Sequence, residues 1–192
     1  MMPLTLNMEP VIRLTHEQFY QLCQANPELK LELTATGELV VMPPTGGETG
    51  RSSLSAGAQL WNWNEQADLG EAFDSSTGFT LPNGAERSPD AAWVERSRWQ
   101  SLTPEQRQKF IPLCPDFAIE ILSPSDRLSK LQAKMQEHME NGCQLGWLLN
   151  RNHREIEVYR PGQTVEILSS PQTISGESVL PGFKLKLSKI WG

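Results

Sequence analysis

The run Phe117-Ala-Ile-Glu-Ile-Leu-Ser123 restricts this chain more than any other stretch. Up to its closing serine it is apolar apart from Glu120, so it reads as a strand buried on both faces. An amphipathic stretch ending at Gly142 follows it, and then a second apolar run, CQLGWLLN. Strand, helix and strand of these lengths form a βαβ crossover, with the two strands parallel and the helix laid across the sheet. On the helix, predicted over about 127–141, Leu128, Leu131, Met135 and Met139 make the buried stripe. Ser123–Asp126 (SPSD) is read as its N-cap and Gly142 as its stop.

The remaining elements arrange themselves around this unit. Residues 1–14 read as an extended arm. Thr15 with Gln18 forms a capping box, which opens a short helix over about 16–24. LKLEL, TATG and ELVVM make a hairpin over about 29–34 and 38–42. Leu54, Ala58 and Trp61 recur at helical spacing beside Leu60, and predict a helix over about 48–67. GEAFDSS and GFTLP read as short strands joined by a turn, and DAAWVE as another strand. Residues 96–110 hold a small helical insertion, with Pro104 at the first position of a helical turn. REIEVYR, TVEIL and the VLPGFKLKLSKIW tail supply the last strands. This order predicts an α/β fold, a mixed central β-sheet flanked by helices. At 192 residues, 38% of them apolar, the chain suits one domain spanning 1–192.

Glu120 is the anomaly in its own strand. An unpaired carboxylate there costs several kcal/mol to desolvate, so it is paired, neutralised or bound to a cation. Strand alternation places Ala118, Glu120 and Leu122 on one face, and likewise Asp90, Ala92 and Val94 of the neighbouring run. If the two strands pair, Asp90 and Glu120 converge at one rim of the sheet. Two carboxylates suit a hard cation, Mg²⁺ or Mn²⁺, whose other positions go to water and a substrate phosphate. Lys134 falls in a basic stripe with Arg127 and Lys130, next to the apolar border of its helix. Its long stem can reach over the sheet edge to orient water or to neutralise charge on a phosphate. Two carboxylates and a lysine are the parts of metal-assisted phosphodiester hydrolysis. The competing readings are structural: Glu120 paired with an arginine, Asp90 a strand-starting turn residue, Arg127 and Lys130 a solvated helix face.

Other classes of function find less support. A net charge of −6 disfavours a passive nucleic-acid coat, but leaves room for an enzyme that meets DNA over a small patch. Arg51, Arg87, Arg127 and Lys130 are the candidates for such a patch. The three cysteines lack C-x-x-C spacing, so a disulfide framework and a zinc ribbon are both disfavoured. His16, His138 and His153 are isolated in sequence, and there is no G-x-S-x-G. TGGETG lacks the lysine ending of a phosphate loop. Six tryptophans could stack bases, yet Trp93 and Trp147 in strands and Trp61 and Trp63 on a helix are read as core. The N-terminal stretch lacks the charged and apolar regions of a signal peptide, and no apolar run is long enough to span a bilayer. The chain reads as cytoplasmic.

Several segments, in this order and spacing, carry a resemblance: GELVVMPPTGGETGR, DSSTGFTLPNG, RSPDAAWV, PDFAIEILSPSD, LQAKMQEHMENG, LGWLLN, VYRPGQ and LPGFKLKL. The chain resembles the Uma2 family, restriction endonucleases of the PD-(D/E)xK superfamily. The resemblance implies a restriction-endonuclease-like fold and Mg²⁺-dependent cleavage of DNA. It carries Asp90 over as the acid of the PD motif and Glu120 as the second acid. It offers Glu48, on the first core helix, as an assisting carboxylate. Leu122 stands where the superfamily places a lysine. Uma2-like chains show a lysine in the following helix instead, and Lys134 in LQAKMQ matches it. A homodimer is the expected assembly, because two-fold symmetry suits cutting both strands of a duplex. The alternatives are a catalytically inactive binding or regulatory module on the same fold, and a metal-dependent hydrolase of some other phosphate ester.

Overall fold

Residues 3–9 and 11–191 are described by the structure, a computed structural model. The described residues form three antiparallel or mixed sheets and six helices. The chain runs β1 (Leu4–Leu6), α1 (His16–Ala25), β2 (Lys30–Leu33), β3 (Leu39–Met42), α2 (Gly47–Ala67) and β4 (Gly70–Asp74). It continues with β5 (Phe79–Thr80), β6 (Glu86–Arg87), β7 (Ala91–Glu95), α3 (Arg96–Gln100), α4 (Pro104–Gln108) and β8 (Phe117–Ile121). It closes with α5 (Leu128–Glu140), β9 (Leu145–Asn150), β10 (Glu155–Tyr159), β11 (Glu166–Ser169), β12 (Thr173–Ser175), β13 (Lys184–Lys186) and α6 (Ser188–Trp191).

A six-stranded mixed sheet, in the order β11-β10-β9-β8-β7-β4, is the frame. Its parallel pair is β8 and β9, joined across α5, as the βαβ reading expects. Every side chain of β8 and β9 is buried, which is why both read as continuous apolar runs. On one face, Trp93, Phe117, Trp147 and Leu149 pack against Ala56 and Leu60 of α2, against Leu185 of the small β12–β13 sheet and against Phe183 just before β13. On the other face, Met135 of α5 packs on Leu148 and Tyr159, with Leu128, Leu131 and Met139 around it. A separate five-stranded antiparallel sheet, β1-β3-β2-β6-β5, carries α1 through Phe19, Leu31, Leu33 and Leu39.

Several local expectations change. SPSD does not cap α5: its N-cap is Arg127, which makes no side-chain cap bond, and Asp126 instead accepts from the Ser123 amide at 2.9 Å. The carboxylate therefore closes a turn that ends β8. GEAFDSS and GFTLP lie on two different sheets, as the outer strands β4 and β5. The N-terminal arm contributes β1, paired with β3.

The largest change is on α2. Its buried side is Thr49, Ser52, Ala56, Leu60 and Asn64, and its apolar stripe is turned outward. Leu54 is 73% exposed and Trp61 49% exposed, so Trp61 is not a core residue, whereas Trp63 packs against Trp93 and Phe183. Small residues face the sheet because α2 lies close on β4 and β7. Among the described residues, no helix is long and apolar enough to cross a membrane.

Candidate active site

Pairing of β7 with β8 sets Ala91 opposite Ile119 and Ala92 opposite Ala118. Continuing that register by one residue sets Asp90 opposite Glu120, at the rim where β7 begins and β8 ends. Asp90 Oδ2 accepts a hydrogen bond from the Ile121 amide at 2.8 Å, which aims its carboxyl along the end of β8. Glu120 is buried, at 6% exposure. Both line a cleft of about 1170 Å³ bounded by β2, α2, the β8–α5 turn and α5.

Lys134 enters this rim from α5. Its Nζ lies 2.7 Å from Glu120 Oε1 and 2.7 Å from Glu32 Oε1. The bond to Glu32 is a well-formed hydrogen bond. The contact with Glu120 is an ion pair without hydrogen-bond alignment, so the buried Oε1 has no hydrogen-bond donor. The structure thus brings Asp90, Glu120 and Lys134 together. The cation beside Glu120 is this lysine, with no arginine paired to it among the described residues.

Glu32, Glu137 and His138, which the sequence reading did not assign to the site, complete the surroundings together with Arg87, which it offered as a cleft cation. Glu32 also accepts from the Ser88 amide at 2.9 Å and pairs with Arg87 at 3.2 Å, while Arg87 donates to Glu137 at 2.6 Å. His138, fully buried, turns its Nε2 towards Glu120 Oε1 at 3.9 Å, too long for a hydrogen bond. A signal for Glu137 and His138 was present: they stand three and four residues after Lys134, on its side of the helix.

Glu48 is elsewhere. Its carboxylate is exposed, 3.0 Å from Arg51 and 2.9 Å from Arg151, and it does not line the cleft. Arg51 is likewise absent from the cleft lining, whereas Arg87, Arg127 and Lys130 belong to it.

The charges interact strongly. Burial raises the Asp90 carboxyl to about 6, with the Glu120 charge acting the same way and Lys30 and the Ile121 amide opposing. Burial also favours neutral Glu120, but the adjoining Lys134 and His138 together outweigh it and hold the carboxyl below its ordinary value. Glu32 follows the same balance: burial is overcome by Lys134 and Arg87, leaving it at about 2. Burial works against the Lys134 ammonium, yet Glu120 and Glu32 prevail and raise it. Lys134 is therefore a fixed cation.

Two mutually repelling carboxylates that line one cleft suit a hard divalent cation. No cluster of three or more His, Cys, Asp or Glu residues is arranged to hold a metal ion among the described residues. The protein's share would be Asp90 and Glu120, with water and phosphate filling the other positions.

Comparison with known proteins follows the same line. Residues 16–188 match the family Uma2, described as "putative restriction endonuclease". A solved structure from Anabaena variabilis ATCC 29413, a putative nuclease belonging to DUF820, superposes with a TM-score of 0.77. It is 22% identical, and the match covers 93% of this chain and 97% of that one, which shows a shared fold. No curated protein matches the chain.

Proposed function

The chain belongs to the Uma2 family, and from that premise we propose that it is a divalent-metal-dependent nuclease, one domain over 1–192, that hydrolyses DNA phosphodiester bonds. The observation that carries the reading is the meeting of Asp90, Glu120 and Lys134 at one sheet rim inside a cleft. Asp90 and Glu120 would hold Mg²⁺ or Mn²⁺. When bound, such an ion polarises the phosphate and supplies a nucleophilic hydroxide near neutral pH.

The chain's own residues do the rest. The strand register sets Asp90 and Glu120 opposite each other, so that both carboxylates stand at one rim of the cleft. Lys134, whose ammonium form its two acid neighbours favour, acts as a cation and hydrogen-bond donor. Its role is to position the phosphate and to neutralise the negative charge that grows on it as water attacks phosphorus and the bond to the leaving oxygen breaks. Glu32 accepts a hydrogen bond from the Lys134 ammonium and helps to hold it in place.

Glu120→Gln tests the reading. It keeps the shape of the side chain and removes its charge. Nicking of supercoiled plasmid in Mn²⁺ is expected to fall by about a hundredfold or more, the scale of losing one electrostatic stabiliser. Undiminished nicking by a folded, purified Glu120→Gln chain refutes it.

A further inference from the structure

The stripe on α2 that faces outward is part of the same cleft. Leu54, Ala58 and Trp61 line it, next to Met42, Pro43 and Pro44. An apolar wall with a half-exposed tryptophan suits an occupant with flat apolar faces, and one that carries phosphates if it is to meet a metal held by Asp90 and Glu120.

The charge of the lining restricts that occupant further. Eight acidic residues line the cleft against five basic ones. Two of the five are already spent, Arg87 on Glu32 and Glu137, and Lys134 on Glu32 and Glu120. Lys30, Arg127 and Lys130 remain, and none of them is ion-paired among the described residues; Lys130 donates to Thr5 Oγ1 at 3.2 Å. A duplex is held by neutralising many phosphates on two strands, typically about 6–10 contacts. Three cations in an acidic cleft, on a chain of net charge −6, match a short length of one strand. The cleft volume of about 1170 Å³ exceeds what one small ligand fills and accommodates a few nucleotides.

We propose that the cleft binds single-stranded polynucleotide, its bases stacked on Trp61 and the apolar wall of α2 and its phosphates facing Lys30, Arg127 and Lys130. This deepens the nuclease reading and rests on it for the chemistry, but the binding stands on separate observations. Stacking supplies affinity that does not depend on sequence, because every base has a flat face. It also supplies affinity that salt does not screen, which a cleft short of free cations needs.

Fluorescence anisotropy with the full chain tests the proposal, using labelled oligothymidine, oligouridine and a DNA duplex of equal length. Ca²⁺ replaces Mg²⁺, since it takes the same oxygen ligands. The single strand, DNA or RNA, is expected to bind about tenfold or more tighter than the duplex. Trp61→Ala is expected to weaken it about tenfold or more, and Trp61→Phe to restore it, as loss and recovery of one stacked base require. With three phosphate contacts on a single strand, log K should fall with log[salt] at a slope of about −2. Trp61 is half exposed, so circular dichroism of Trp61→Ala should match the parent.

Equal or tighter duplex binding overturns the proposal, as does a Trp61→Ala chain that binds single strands as the parent does. A dimer in sedimentation that Trp61→Ala dissociates also overturns it, since the wall would then be an interface between copies. Strands that bind through Trp61 yet stay uncut in Mg²⁺ and Mn²⁺ support it while refuting the nuclease reading. Duplex cleavage that depends on Glu120 and ignores Trp61→Ala does the reverse.

Discussion

Lys134 is held between two carboxylates that reach it from different sheets, Glu32 of β2 and Glu120 of β8. Removing it leaves the buried Glu120 without its cation, while Glu32 keeps Arg87. Lys134→Ala should therefore cost about 3–5 kcal/mol in urea denaturation, the range for breaking one partner out of a buried pair. In the folded fraction, turnover should fall far more than Mg²⁺ affinity measured by calorimetry, because Asp90 and Glu120 both remain. Equal loss of the two would contradict a role at the phosphate. Glu32 gives a pH signature. Its carboxyl sits at about 2 in the fold against an ordinary 4.5. Its contribution to stability is thus complete above 4.5 and disappears as the pH falls towards 2. Glu32→Gln should flatten that part of the acid-denaturation curve while lowering stability at neutral pH.

The two long helices show how an element can hide its function. On α5 the apolar stripe is where helical periodicity puts it, and the polar side carries Lys134 and Glu137 to the cleft. On α2 periodicity misleads, because the stripe of largest residues is the wall of the cleft and Ala56 and Leu60 meet the sheet. The two leucines of α2 separate these roles. Leu60→Ala, fully buried, should cost about 2–5 kcal/mol in urea denaturation. Leu54→Ala, mostly exposed, should change stability by no more than about 0.5 kcal/mol. Similar losses at both positions would mean that α2 is rotated from the arrangement described.

Across the whole molecule, the two large sheets are tied at the cleft by charge as well as by packing. Arg87 of β6 joins Glu32 of β2 to Glu137 of α5, and Lys134 joins Glu32 to Glu120 of β8. Loosening this tie should release the five-stranded sheet before the six-stranded one. In Arg87→Ala, hydrogen exchange of the Leu31–Leu33 amides is expected to speed up about a hundredfold, while the fully buried β8 and β9 keep their protection. Uniform acceleration of both sheets would show that they open as one unit.

The sequence alone determined the frame. A greasy strand, an amphipathic helix and a second greasy strand allow few arrangements, and an acid inside the first already marks Glu120. Alternation also sufficed to place Asp90 on the matching face. Only the tertiary structure decided the rest. In LKLEL the hairpin pattern says nothing of what Glu32 meets; it is buried because α5 and Arg87 cover it from elements far away in the chain. Glu48 heads the right helix, yet Arg51 and Arg151 hold it outside the cleft. Periodicity reports which residues share a face, but what that face meets depends on contacts between distant segments, and those exist only once the chain has folded.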